Sequence, residues 1–164
     1  MEEIEELECK AYVQMARDLD VFYESELRML GDLLEQIRNK TSKNYTLFDE
    51  REGEHILGFV VFRKTPMTDH SWDIYWLVVD KDRHRKGIGK KLLKRVEEFI
   101  VANDEKAIIR VETSSHKDYA CAVDFYRKTG FSPAGTIPDF YEKDDDLLIF
   151  YKRLPVNGPQ PKGE

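Results

Sequence analysis

Only two cysteines, Cys9 and Cys121, occur in the 164-residue chain, and they have no metal-ligand spacing. That excludes a disulfide scaffold and leaves two free thiols, as expected of a reducing, cytoplasmic compartment. Long apolar runs are missing too: nothing approaches the roughly 20 residues that span a bilayer. The opening Met1-Glu2-Glu3 is acidic where a secretory signal is basic, so neither a signal nor a membrane partner is expected. Basic excess is absent as well. With 26 Lys and Arg against 32 Asp and Glu the net charge is −6, which disfavours nucleic acid or an anionic membrane as a non-specific partner.

His55, His70, His84 and His116 are scattered without ligand spacing. Asp144-Asp145-Asp146 lacks the glycine and terminal glutamate of a calcium loop, so no metal is expected. No GxSxG elbow occurs, and Ser114-Ser115 has no obvious partner base, which argues against a covalent acyl-enzyme. What remains is a well-charged chain, 41% hydrophobic and 35% charged, of a length that suits one domain. We expect that domain over residues 1–154, followed by a disordered Pro- and Gly-rich tail over 155–164.

From Glu2 to about Lys40 apolar residues recur at three- and four-residue steps, which predicts two helices with a break near Asp18 to Val21. Tyr45 to Phe48, Ile56 to Phe62 and Trp72 to Val79 are short, β-branched and aromatic runs parted by turn residues, and read as three antiparallel strands. A helix follows that buries Ile88, Leu92, Leu93, Val96, Phe99 and Ile100. Next come a strand over Ala107 to Thr113 and a helix over Tyr119 to Lys128 stopped by Gly130. Strands near Ala134 to Ile137 and Leu147 to Lys152 close the fold around a loop from Pro138 to Asp146.

The third strand enters the third helix through Arg83-His84-Arg85-Lys86-Gly87-Ile88-Gly89-Lys90. Glycines at a basic turn that opens a helix let the backbone approach an anion and aim N–H groups at it, with the helix dipole adding attraction. The functional reading is a phosphate site; the plain one is a strand-to-helix turn with a solvated basic face. A dinucleotide fingerprint would need glycine in place of Leu92, and a Walker loop would need glycine at His84 and Ser or Thr after the lysine; both fail.

The run from His84 to Gly89 resembles the acyl-coenzyme A loop of the GNAT superfamily of N-acetyltransferases: Arg or Gln, two residues, Gly, one residue, then Gly or Ala. It departs at His84, which stands at the Arg/Gln position with Arg83, Arg85 and Lys86 beside it. Phe125-Tyr126-Arg127-Lys128-Thr129-Gly130-Phe131 is similar to the same family's FY-x-x-x-GF signature. The resemblance covers about Tyr45 to Leu154. It implies an α/β fold of the α+β type, the GNAT fold, with a mixed, mostly antiparallel central sheet flanked by helices. The activity implied is transfer of acetyl from acetyl-CoA to an amine, and the family's sheet edges, which often pair between subunits, allow a homodimer.

Residue by residue, the resemblance implies that His84, Arg85, Lys86, Gly87, Ile88, Gly89 and Lys90 hold the cofactor phosphates. Leu77, Val78 and Val79 correspond to the strand whose backbone binds the pantetheine arm and the thioester carbonyl. Tyr119 occupies, by count, the place of an asparagine that holds the cofactor in many members. Tyr126 corresponds to the tyrosine that protonates the departing thiolate, a task a phenol of pKa about 10 can perform at neutral pH; as plain structure it is a core aromatic.

Glu112 stands where some members, including the ribosomal-protein alanine acetyltransferases, keep a carboxylate that deprotonates the amine through water. Its plain reading is an ion pair with Arg110 or Lys117. Glu54 and Asp73 are further carboxylates with no motif behind them. Asp139 and Tyr141, with Asp144 to Asp146, fall where the fold commonly borders the acceptor mouth, or else form a solvated acidic hairpin. The acceptor is then a small-molecule or peptide amine, reached by direct transfer. A non-catalytic acyl-CoA sensor would share the loop but need neither Tyr126 nor Glu112.

Overall fold

The computed structural model describes residues 5–41 and 44–155. The expected tail, apart from Pro155, and the first residues of the expected N-terminal helix lie outside these. In chain order the elements are α1 (Glu6–Arg17), α2 (Glu24–Arg38), β1 (Tyr45–Glu52), β2 (His55–Lys64), β3 (Ser71–Val79), α3 (Ile88–Asn103), β4 (Ala107–Ser114), α4 (Ala120–Lys128), β5 (Ser132–Glu142) and β6 (Asp145–Leu154), with short 3-10 turns at Lys81–Arg83 and Lys117–Tyr119. Six strands form one sheet in the order β1-β2-β3-β4-β6-β5. The β3–β4 pair is parallel, and β1–β2, β4–β6 and β5–β6 are antiparallel, so the sheet is mixed as expected.

The chain divides into two compact units, Met1–Arg63 with Trp76–Arg95, and Lys64–Tyr75 with Val96–Glu164. In the first, α1 and α2 begin where Glu8 and Glu26 accept the N–H of Glu5 and Tyr23, satisfying donors that a helix start leaves open. Leu27, Leu30 and Leu34, one helical face of α2, are buried with Tyr12, Phe59 and Val61. The Tyr12 ring packs tilted against Phe59, and its hydroxyl donates to Asp49 at 2.7 Å, tying α1 to β1.

Gly58, inside β2, is required by close approach. A Cβ there would lie 2.8 Å from the Val78 carbonyl oxygen, 3.1 Å from Ile88 Cγ2 and 3.2 Å from Leu92 Cδ1. The absent side chain lets the start of α3 settle onto β2. Gly58→Val should therefore destabilise the protein by about 1 to 3 kcal/mol through overpacking, read as a lowered urea midpoint at unchanged slope.

The second unit is held by packed aromatic rings and a few part-buried polar ties. Trp72 meets Phe99 edge-on, and its indole N–H donates to Asp104 at 2.7 Å, which also receives Lys64 at 2.9 Å. Lys152 donates to Glu97 at 2.6 Å and to the Thr129 carbonyl at 2.8 Å, joining β6 to α3 and to the end of α4. Gly130, at φ +91°, ends α4 in the left-handed conformation that glycine adopts without strain.

Two boundaries differ from the sequence reading. Helix α4 starts at Ala120, and Tyr119 belongs to the 3-10 turn before it. Pro138 to Glu142, expected in a loop, continues β5, and β6 begins at Asp145. The ladder is broken there, passing from Ile137↔Leu147 to Glu142↔Asp145, because Pro138 has no N–H and Asp139 takes φ +51°. Carboxylates replace the missing backbone partners: Asp146 accepts from the Asp139 N–H and Asp139 from the Asp144 N–H.

Candidate active site

In the first unit, β3 ends at Val79 and the chain turns through Lys81–Arg83. Asp80 fixes this turn by accepting from the Asp82 N–H at 2.9 Å while its own N–H donates to the Leu57 carbonyl. That hydrogen bond to the Asp82 N–H holds the Asp80 carboxyl below its usual range, with His55 at 3.2 Å adding to the effect. His84, at the position where an Arg or Gln was the pattern, has Nε2 2.9 Å from the Val79 carbonyl oxygen. The ring thus ties the turn to the end of β3.

Arg85 at φ +60° and Gly87 at φ +82° bend the backbone into α3. The first intrahelical bond runs from the Lys91 N–H to the Gly87 carbonyl, so the N–H groups of Ile88, Gly89 and Lys90 form the open helix start. Nothing lies within 4 Å of where a Gly87 Cβ would project. The surrounding cations divide by role. Arg83 pairs with Glu52, and Lys91 and Arg95 pair with Glu50, whereas Arg85, Lys86 and Lys90 are exposed and make no ion pair among the described residues. A helix start with three uncommitted cations beside it is chemically an anion site.

Glu50 is the anchor of that arrangement. Burial alone would raise its carboxyl, but hydrogen bonds and charge from Lys91 and Arg95 together hold it below the usual range. Stability from this depression is complete above the unfolded carboxylate value of about 4.3 and is lost as pH falls through the lower folded value. Glu50→Gln should cost about 2 kcal/mol at pH 7, and the gap from wild type should close in urea titrations as pH falls through the lowered folded value.

In the second unit, Tyr126 is 8% exposed and packs its ring against Phe131 and Phe150 at 5.4 and 6.3 Å between centroids. Burial is the one influence on its phenol, which it pushes up to about 12, so the hydroxyl keeps its proton across the physiological range. Tyr126 therefore has the surroundings of a core aromatic together with the protonation state of an acid. Tyr119 precedes α4 and is half-buried.

Glu112 is exposed near the end of β4 and lies 3.4 Å from Arg110, whose Nε donates to the buried Asp73 at 2.8 Å. Val111 pairs with Phe150, so the Tyr126 ring lies on the Val111 face of β4 and Glu112 on the other. The β3–β4 ladder ends at Ile74↔Val111, so Leu77, Val78 and Val79 take no part in it. Beyond Val111, β4 is paired through β6, up to Ser114↔Leu147.

Asp139, Tyr141 and the acidic run belong to the β5–β6 hairpin. Asp145 is buried and accepts a short hydrogen bond from the Ser114 hydroxyl, and Ser115 exchanges two bonds with the Asp146 backbone. Tyr141 is exposed with its ring edge-on to Phe140 at 5.1 Å. The Asp145 carboxylate and the Asp146 backbone hold the hairpin to the end of β4. Among the described residues no group of three His, Cys, Asp or Glu is placed to hold a metal, and no helix is long and apolar enough to cross a membrane. Cys9 is buried, Cys121 is exposed, and both are unpaired.

Sequence reasoning missed Gly58, whose signal was a lone glycine inside an apolar strand, and the Asp73–Arg110 pair, which depends on strand register.

The order of strands and helices and the glycine turn opening α3 are those of an acyltransferase fold. A family model described as the acetyltransferase (GNAT) family matches residues 1–131, and the chain belongs to that family. It is accordingly an acetyltransferase that uses acetyl-CoA. Solved structures agree in fold. A protein from Desulfovibrio desulfuricans described as an acetyltransferase of the GNAT family is similar at 23% identity and TM-score 0.84, covering 91% of this chain and 94% of that one. An aminoglycoside 6'-N-acetyltransferase complexed with coenzyme A gives 16% identity and TM-score 0.72, with 96% and 95% covered. The ribosomal-protein-S18-alanine N-acetyltransferase of Escherichia coli gives 17% and 0.71, with 99% and 97% covered. No curated protein matches the chain in sequence.

Proposed function

We propose that the chain is an N-acetyltransferase that moves acetyl from acetyl-CoA directly to a primary amine of a small molecule or peptide. The observation that carries this reading is the open start of α3, where the N–H groups of Ile88, Gly89 and Lys90 stand beside the exposed cations Arg85, Lys86 and Lys90, as the phosphates of an acyl-CoA require. Structural neighbours whose names identify an aminoglycoside and a ribosomal-protein alanine as acceptors support an amine.

The turn of His84, Arg85, Lys86, Gly87, Ile88, Gly89 and Lys90 binds the cofactor phosphates, and Tyr119 lines the cofactor ahead of α4. Glu112, through a water, takes a proton from the ammonium, since only the free amine has a lone pair for attack. Nitrogen adds to the thioester carbon, and backbone N–H groups of Leu77 to Val79 stabilise the oxyanion. The C–S bond then breaks as the Tyr126 hydroxyl gives its proton to the thiolate, and the second proton, shed by the acetylated nitrogen, passes to solvent, which restores the phenol. Asp139 and Tyr141 border the acceptor.

The test is calorimetric titration with acetyl-CoA and, separately, ATP, beside a thiol-release assay over a pooled amine and peptide library. Micromolar acetyl-CoA binding with acceptor-dependent release is the expected result. Binding without release over any acceptor would establish a sensor instead, and absence of binding would overturn the reading of the turn.

A further inference from the structure

Asp73 sits opposite Arg110 in the parallel β3–β4 pair and is 5% exposed. A carboxylate so buried needs a compensating cation, and the Arg110 guanidinium provides it through Nε at 2.8 Å. The Asp73 carboxylate in turn holds that guanidinium above its usual range. The other side of the same planar group reaches Glu112, with Nη1 3.4 Å from Oε1. Residues 110 and 112 share a face of β4, so one guanidinium joins a buried carboxylate to an exposed one.

We propose that Asp73 and Arg110 are positioning residues that hold the Glu112 carboxylate in place, a role that rests on the reading of Glu112 as the base. An arginine alone beside Glu112 would orient it but stabilise its ionised form and make it a poorer proton acceptor. Asp73, on the far side, offsets that charge and fixes the plane of the fork. The cluster of two carboxylates and one guanidinium keeps a net single negative charge toward an ammonium. Around it, Tyr75 of β3 also acts electrostatically on Arg110. From β6, Tyr151 and Arg153 lie opposite Arg110 and Ile108, and Ile149 lies opposite Glu112.

The signature is a pair of shifts with opposite signs. In the full chain labelled with carboxyl-13C glutamate, the Glu112 resonance is identified by its loss in Glu112→Gln and titrated by NMR. Arg110→Gln should raise the Glu112 midpoint by about 0.5 to 1 pH unit, because two carboxylates then face one another. Asp73→Asn should lower it, because the guanidinium is no longer offset. The double variant should return it near wild type, and it keeps the test open if Arg110→Gln, with Asp73 left unpaired, does not fold.

With an acceptor from the pooled library, the acid limb of kcat/KM that Glu112→Gln removes should follow the same directions, and Arg110→Lys should restore part of the loss. Shifts that are absent or of one sign would overturn the positioning role while the base reading stands. Full thiol release in Glu112→Gln would overturn the base reading, and the positioning role with it.

Discussion

Tyr126→Phe is expected to lower kcat by about 10² to 10⁴-fold while acetyl-CoA affinity changes by less than about threefold. The ring packing on Phe131 and Phe150 is retained in phenylalanine, so cofactor binding and fold should both survive. Burial is the one influence on the phenol's pKa, and removing the hydroxyl takes no charged partner away from its neighbours. Melting temperature should therefore stay level or rise slightly. Stopped-flow thiol release beside calorimetry separates these quantities, and equal losses in turnover and affinity would refute the acid role. Glu112 should behave differently: its loss should be relieved as rising pH deprotonates the amine without help, whereas the Tyr126 loss should persist.

Gly87→Val should weaken acetyl-CoA binding by at least about tenfold, since a left-handed backbone costs an L-residue roughly 1 to 2 kcal/mol and a β-branched one more. The cause is conformational rather than steric, because open space surrounds the missing Cβ at φ +82°. Valine must either bear that strain or relax φ and turn the N–H groups of Ile88 to Lys90 away. Gly87→Asn is the control: asparagine tolerates the left-handed region and should retain most of the affinity. Equal weakening by both substitutions would show that the turn responds to bulk and not to φ. ATP should bind neither form, since the turn matches neither nucleotide pattern.

Acidic pH reports a separate property of the same turn. Glu50 keeps Lys91 and Arg95 committed to β1, which leaves Arg85, Lys86 and Lys90 as the cations toward an anion. Protonating Glu50 releases two further cations at some cost in stability. Binding and folding should thus diverge as pH falls through the lowered folded value of Glu50.

Element types and the turn were legible in the chain because their signals are local. Three- and four-residue apolar steps predict α1, α2 and α3, alternation and β-branching predict the strands, and Gly130 predicts the end of α4; the structure agrees at each. The hairpin was misread because prolines and aspartates look like a loop. Strand conformation persists there through side-chain capping, as with Asp139 and Asp146, which no local propensity encodes. The β3–β4 ladder ends at Ile74↔Val111 for a reason equally invisible in composition, since register is set by which partners a strand meets.

The sequence by itself determined the family, since a glycine turn at a helix start and a tyrosine signature are short-range patterns written in consecutive residues. Only the tertiary structure decided which groups meet. Asp73 and Arg110 are 37 residues apart and meet through parallel strand pairing. Tyr126 and Glu112 take opposite faces of β4 because alternation is measured against partners, not along the chain. Burial of a carboxylate, its counter-charge and the aim of its neighbour are properties of packing, and packing brings together residues that the chain keeps apart.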